Sequence, residues 1–166
     1  MNYPERIEPQ PGQESVWDYP RPPRLEQSSK QIKIVFNNIA IADSCNTYRV
    51  LETSHPPVYY IPPENIKTEY LHAAKAQRSF CEWKGFASYY DLVVGEKKVV
   101  NAGWYYLQPT ENFAAIANYV AFYPSKMDAC YVDGELVQAQ PGDFYGGWIT
   151  KDIVGPFKGS VGSWGW

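Results

Sequence analysis

The sequence predicts a mainly β fold: antiparallel strands arranged as two packed sheets or a partly open barrel, with two short helices and an extended N-terminal arm. Three observations predict it. Short apolar runs alternate with polar residues and are cut by closely spaced Gly, Pro, Asn and Asp, the punctuation of strands joined by turns. Aromatic residues reach 16%, so large flat side chains can fill a sheet core from few positions. The first 31 residues are rich in Pro, Gln and Glu and poor in aliphatics, which favours an extended chain over a helix.

Taken in order, residues 1–31 form that arm and residues 32–166 one β-rich domain. Trp17 and Tyr19 lie within the arm, so the stretch 14–24 is expected to insert its aromatics against the domain. Ile32 to Phe36 alternates, Asn37-Asn38 turns, and Ile39 to Ala42 returns as a hairpin partner. Tyr48–Thr53 and Val58–Ile61 read as strands, the second bounded by proline pairs. Pro62-Pro63 opens a helix over 64–74, with Glu64 in its first turn. A long strand is expected over 80–94, a turn at Gly95-Glu96-Lys97, and a returning strand over 98–106. Thr110 caps a short helix over 110–117. Strands follow at 119–123 and 128–132, and Asp133-Gly134 turns into Glu135. The Gly-rich last third reads as loops packed closely on a rigid surface.

The length of 166 residues suits one domain with a sizeable core. A net charge of −3 and the lack of a long basic run argue against nucleic acid as a partner. No run approaches the roughly 20 apolar residues of a membrane helix, and the N-terminus has no apolar signal segment. The three cysteines, Cys45, Cys81 and Cys130, are odd in number and include no C-x-x-C pair. Neither a disulfide scaffold nor a structural zinc site is expected, and reduced thiols suit a cytoplasmic protein. No metal and no cofactor is expected.

Three clusters could carry chemistry. In Glu52-Thr53-Ser54-His55-Pro56-Pro57, a carboxylate, two hydroxyls and an imidazole sit on a loop stiffened by two prolines, a possible general acid–base site. The simpler reading is that the hydroxyls and His55 only hold the turn. In Cys81-Glu82-Trp83-Lys84-Gly85, strand alternation puts Cys81 with Trp83 on one face and Glu82 with Lys84 on the other. A buried structural thiol is favoured at Cys81 over a lysine-activated nucleophile, while Glu82 and Lys84 could bind a polar ligand together. In Asp143 to Thr150, followed by Gly155 to Gly159, glycines beside Lys158 invite a phosphate-loop reading, but the Walker A spacing is missing. Tight turns covering the core are the simpler account.

The motifs ESVWDYPRPP at 14–23, ETSHPPVYYIP at 52–62, CEWKG at 81–85, FYGGWIT at 144–150 and GPFKG at 155–159 together resemble the family catalogued as domain of unknown function 427. The resemblance implies a small β-rich protein of the β-tent type, a fold in which some branches hold a ligand in an aromatic pocket. The zinc-ligand cysteine pairs of other β-tent proteins are absent, so their metal does not carry over. Some catalogues place the family under a nucleotidyltransferase heading. The paired acidic metal site and Gly-Ser loop of such enzymes are not visible in this sequence.

The aromatic excess, combined with polar anchors in the motif loops, points first to a module that binds a small molecule. Tyr60, Tyr89, Trp104 and Trp148 are expected to wall the pocket, with Glu82 and Lys84 as polar anchors. An enzyme using the same pocket is the alternative, with His55 or Glu52 as general base, Lys84 stabilising negative charge and Cys81 as the outside nucleophile. A third reading is a homodimer or other protein contact made through the N-terminal arm.

Overall fold

A computed structural model describes residues 3–75, 78–142 and 144–166. Its described strands are almost all antiparallel. The longest pair is the hairpin Gly85–Val94 with Lys97–Tyr106. This hairpin is the middle of a five-stranded sheet. Val120–Phe122 lies along one edge, and Leu71–Ala73 and Ser79–Cys81 both pair with Gly85–Val94 on the other. A second sheet runs Glu135–Leu136, Ala129–Val132, Ile32–Phe36, Ile39–Ser44. A third runs Arg24–Ser28, Thr47–Leu51, Val58–Tyr60. Bridges at Ile61–Val120 and Ala42–Ile66 stitch neighbouring sheets together. Among the described residues the sheets do not close into a barrel.

The hairpin readings held because the turn residues supply the needed backbone. Asn37 and Asn38 have φ of 48° and 64°, and Asp133 and Gly134 have 48° and 81°. Positive φ at both turn positions matches the twist of the flanking strands. The two expected helices did not form as such. Pro63–Asn65 and Thr68–Tyr70 are single 3₁₀ turns, and the chain then enters the strand Leu71–Ala73. Glu111–Ile116 is a 3₁₀ segment kinked at Phe113. Thr110 does not cap it; its hydroxyl donates to the Trp83 carbonyl at 2.5 Å. These segments are shorter than the roughly 12–15 residues over which an isolated α-helix outweighs its nucleation cost.

The N-terminal arm is woven into the domain from residue 14 onward. Glu14–Ser15 pairs in parallel with Ile153–Val154, and Arg24–Ser28 is a full strand against Thr47–Leu51. Val16, Trp17 and Tyr19 are buried together with Leu51 and Ile153. Arg49, only 5% exposed, is held by Glu14 and Glu26. Tyr19 also donates to Glu14 at 2.8 Å.

The two faces of the long hairpin cover different cores. Leu92, Val94 and Ala102 join Ile32, Ile34, Phe36 and Phe122 in the larger one. Ala87 and Tyr89, two apart on one strand, face the same way as their cross-strand partners Tyr106 and Trp104. With Val50 and Tyr60 they belong to a smaller aromatic cluster, and the candidate site opens onto that cluster. Among the described residues no helix is long and apolar enough to cross a membrane.

Candidate functional site

A cavity of about 320 Å³ lies between the aromatic face of the hairpin and the segment 50–60. Its floor is Tyr60, Ala87, Trp104 and Tyr106; Tyr89 and Tyr123 also line it. The floor is rigid. Trp104 donates its indole N–H to the Tyr60 hydroxyl at 3.1 Å and packs on Tyr123 with ring centroids 4.6 Å apart. Burial pushes the phenols of Tyr60, Tyr106 and Tyr123 up, so all three are neutral hydroxyls at physiological pH.

The polar side of the cavity starts at the first sequence cluster. The His55 N–H donates to the Glu52 carbonyl at 3.0 Å, closing a tight turn, with Ser54 at φ 73° inside it. This turn folds Glu52 back over His55, leaving the Glu52 carboxylate 3.6 Å from His55 Nε2. Arg21 approaches the same carboxylate at 3.5 Å. Thr53 donates to the Tyr19 carbonyl, so this hydroxyl does hold the turn.

Gln140 fixes the tautomer of His55. Its Oε1 accepts from the Gly147 N–H at 3.1 Å, and its Nε2 donates to the Lys158 carbonyl at 2.8 Å. The amide orientation is thereby set, and Nε2 also donates to His55 Nδ1 at 3.0 Å. Nδ1 is then the acceptor and Nε2 carries the proton. Burial, reinforced by Lys158, Arg21 and Lys84, pushes the His55 pKa down to about 3. The ring is a neutral hydrogen-bonding group across the physiological range.

Lys84 comes from the second cluster, but not from a strand. Ser79–Cys81 and Gly85–Val94 are separate strands, and Cys81 pairs with Gly85 across a turn made of Glu82, Trp83 and Lys84. The expected continuous strand over 80–94 is broken there, because Gly85 at φ 106° lets the chain reverse. The alternation argument fails with it. Lys84 and Cys81 both line the cavity, whereas Glu82 is exposed and does not. Lys84 Nζ sits 6.0 Å from the Tyr106 ring centre and 5.9 Å from that of Phe113. Burial works to lower the Lys84 ammonium, but Tyr60, Cys81 and Glu52 outweigh it and hold its pKa above the usual lysine value. Lys84 is charged at neutral pH.

The third cluster supplies the rim, where Phe144, Tyr145, Gly146 and Lys158 line the cavity. Tyr145 packs edge-on to His55 at 4.9 Å, and Lys158 Nζ donates to a main-chain oxygen of Trp166 at 3.3 Å. Gly146 crosses directly over Trp104; an added Cβ there would overlap the indole. Asp143, at the start of this cluster, lies outside the described residues. Trp148, expected as a wall, is 1% exposed in the larger core against Tyr59 and does not reach the cavity. Glu52, His55, Tyr60, Cys81, Lys84, Tyr89 and Trp104 are thus brought together, while Glu82 and Trp148 are not.

Sequence reasoning missed Gln140, Tyr106 and Tyr123. Tyr106 could have been found by carrying the alternation on from Trp104. Gln140 had no local signal. Among the described residues no three His, Cys, Asp or Glu side chains are close enough to share a metal ion. All three cysteines are unpaired: Cys45 exposed, Cys81 half-buried and Cys130 buried.

Fold and site together define a small antiparallel β protein with an aromatic cavity bearing a few fixed polar groups. The chain belongs to the family described as domain of unknown function (DUF427), labelled NTP_transf_9, which it matches over residues 24–133. That span contains the first two clusters and the hairpin, but not Gln140, Tyr145 or Lys158. No curated protein matches the chain.

Proposed function

We propose that this protein binds a small organic molecule in the cavity between the hairpin and the segment 50–60. One observation carries the reading. Two ammonium groups, an imidazole of fixed tautomer and a carboxylate converge on one aromatic-floored cavity from chain positions up to 106 residues apart, counting from Glu52 to Lys158. A few placed polar groups on an aromatic concavity are the usual design of a ligand site. The volume of about 320 Å³ is at the lower end of ligand cavities. It is roughly twice the ~150 Å³ that accommodates a benzene, which suits a ligand of one or two rings.

The same geometry favours binding over acid–base turnover. A histidine neutral down to about pH 3 is too weak a base to accept a proton at pH 7. It can still orient a ligand through a hydrogen bond.

The test is a thermal-shift series of one- and two-ring aromatic compounds, acidic, neutral and basic, against the protein and its Ala87→Leu variant. Ala87 is 3% exposed on the cavity floor, so leucine there occupies ligand space. A ligand specific for the folded state should raise its stability by about 2.7 kcal/mol at a hundredfold excess over Kd. That shift should shrink in the variant. A flat series, or a shift the variant leaves intact, would remove the cavity as the binding site.

A further inference from the structure

We infer that the cavity is built for a monoanion, an aromatic or otherwise flat carboxylic acid whose carboxylate meets Lys84 while its body lies on Tyr60 and Trp104. The inference rests on the binding role proposed above and adds the charge of the ligand. Among the described residues the charged side chains lining the cavity are Glu52, Lys84 and Lys158. Glu52 is already engaged by Arg21 at 3.5 Å and faces His55 at 3.6 Å. Lys158 sits over the Tyr145 ring at 5.8 Å and donates to the main chain of Trp166.

Lys84 is different. Neither lysine has a carboxylate within ion-pair distance among the described residues, but Lys158 Nζ is turned to a main-chain oxygen and Lys84 Nζ is not. The faces of Tyr106 and Phe113 and the Cys81 thiol are its neighbours. An ammonium whose described neighbours are two aromatic faces and a thiol keeps its donors for an incoming carboxylate. The neutral state of His55 matters as well, because it adds no further positive charge at the site. With Lys158 turned to the Trp166 main chain, Lys84 is the ammonium left for a ligand, and the Glu52 carboxylate lining the same cavity favours a single negative charge over the two of a phosphate monoester.

The test uses 2-naphthoate, its neutral isostere 2-naphthamide and the dianionic 2-naphthyl phosphate, titrated by the quenching of tryptophan fluorescence. Naphthoate should bind tightest. Lys84→Met should weaken naphthoate by about tenfold or more and leave the amide within about twofold, while Lys84→Arg should retain most of the acid's affinity. Thermal melts of both variants check that they fold. If the amide binds as tightly as the acid, or Lys84→Met weakens both equally, the anion inference falls and the cavity remains a neutral-ligand site. If the phosphate binds tightest, the single-charge assignment is overturned and the pocket takes dianions. If none of the three binds, the binding role itself falls and the inference with it.

Discussion

Proline is a backbone constraint before it is anything else, and around His55 it acts through a neighbour. Pro56 and Pro57 keep the chain after His55 extended, so the reversal must occur before them, at Glu52–His55. Ser54, with φ 73°, occupies a turn position that Gly or Asn usually takes. The result is a carboxylate and an imidazole stacked across one turn, with Gln140 holding the far nitrogen. A buried neutral histidine has a consequence for stability. Its folded pKa of about 3 lies below the ~6.5 of an unfolded histidine, so between those values the unfolded chain binds a proton that the native protein does not. The His55 contribution is therefore fully present above pH ~6.5 and is lost as pH falls toward 3, by at most about 1.4 kcal/mol per pH unit. Urea titrations of the wild type and His55→Asn from pH 7 to 5 would check this. That range lies above the ordinary carboxylate pKa values. Over it the wild type should lose stability and the variant should stay nearly flat; parallel curves would refute the assignment.

The element that positions the site is the long hairpin, and its legibility was uneven for a physical reason. Tyr89 and Trp104, expected as walls from the aromatic excess, do share one face, because the hairpin register sets them opposite each other and side chains alternate along each strand. The alternation expected at 81–85 failed, because Glu82, Trp83 and Lys84 are individually acceptable in a strand. Only the positive φ of Gly85 shows that the chain turns there. Trp148, also expected as a wall, belongs to a two-residue strand, Trp148–Ile149, too short for a pattern to reveal its buried face. Gln140 was invisible because its role depends on three partners, His55, Gly147 and Lys158, two of them main-chain groups. The glycines near aromatics did announce close packing, and Gly146 shows why: its Cα hydrogen faces the six-membered ring of Trp104. Gly146→Ala should therefore cost about 1–3 kcal/mol by overpacking. Combined with Trp104→Phe, which removes the ring that is struck, the two costs should fall short of additive. Denaturant midpoints of the four proteins of the cycle measure this, and strict additivity would place the strain elsewhere.

At the scale of the whole molecule, the decisive feature is that the chain closes on itself through its N-terminal segment. Composition predicts an extended arm over 1–31 whose 14–24 stretch packs its aromatics on the domain, and outside that stretch Glu5–Gly12 are exposed. From Glu14 onward the segment supplies what the rest of the chain lacks. Val16, Trp17 and Tyr19 fill the space beside Leu51 and Ile153, and Glu14 compensates Arg49. Burial of three such side chains contributes about 1.5–3 kcal/mol each, and losing one partner of a buried guanidinium adds about 1–3 kcal/mol. The total is comparable to the 5–15 kcal/mol that keeps an average domain folded. Deleting residues 1–12 should thus shift the stability by about 1 kcal/mol or less, whereas deleting residues 1–19 should abolish cooperative unfolding. Arg49→Leu in the shorter chain should recover part of the loss, because it removes a buried guanidinium left with only Glu26 of its two carboxylate partners, while Glu26 itself stays at the rim. Calorimetry on the full chain, the two truncations and the rescue variant would decide the matter. A cooperative transition at an unchanged Tm in the 1–19 deletion would mean that the segment only lies on a domain complete without it. Loss of the transition, with partial recovery in Arg49→Leu, would establish the N-terminal segment as part of the core and the Glu14–Arg49–Glu26 set as the tie that holds it.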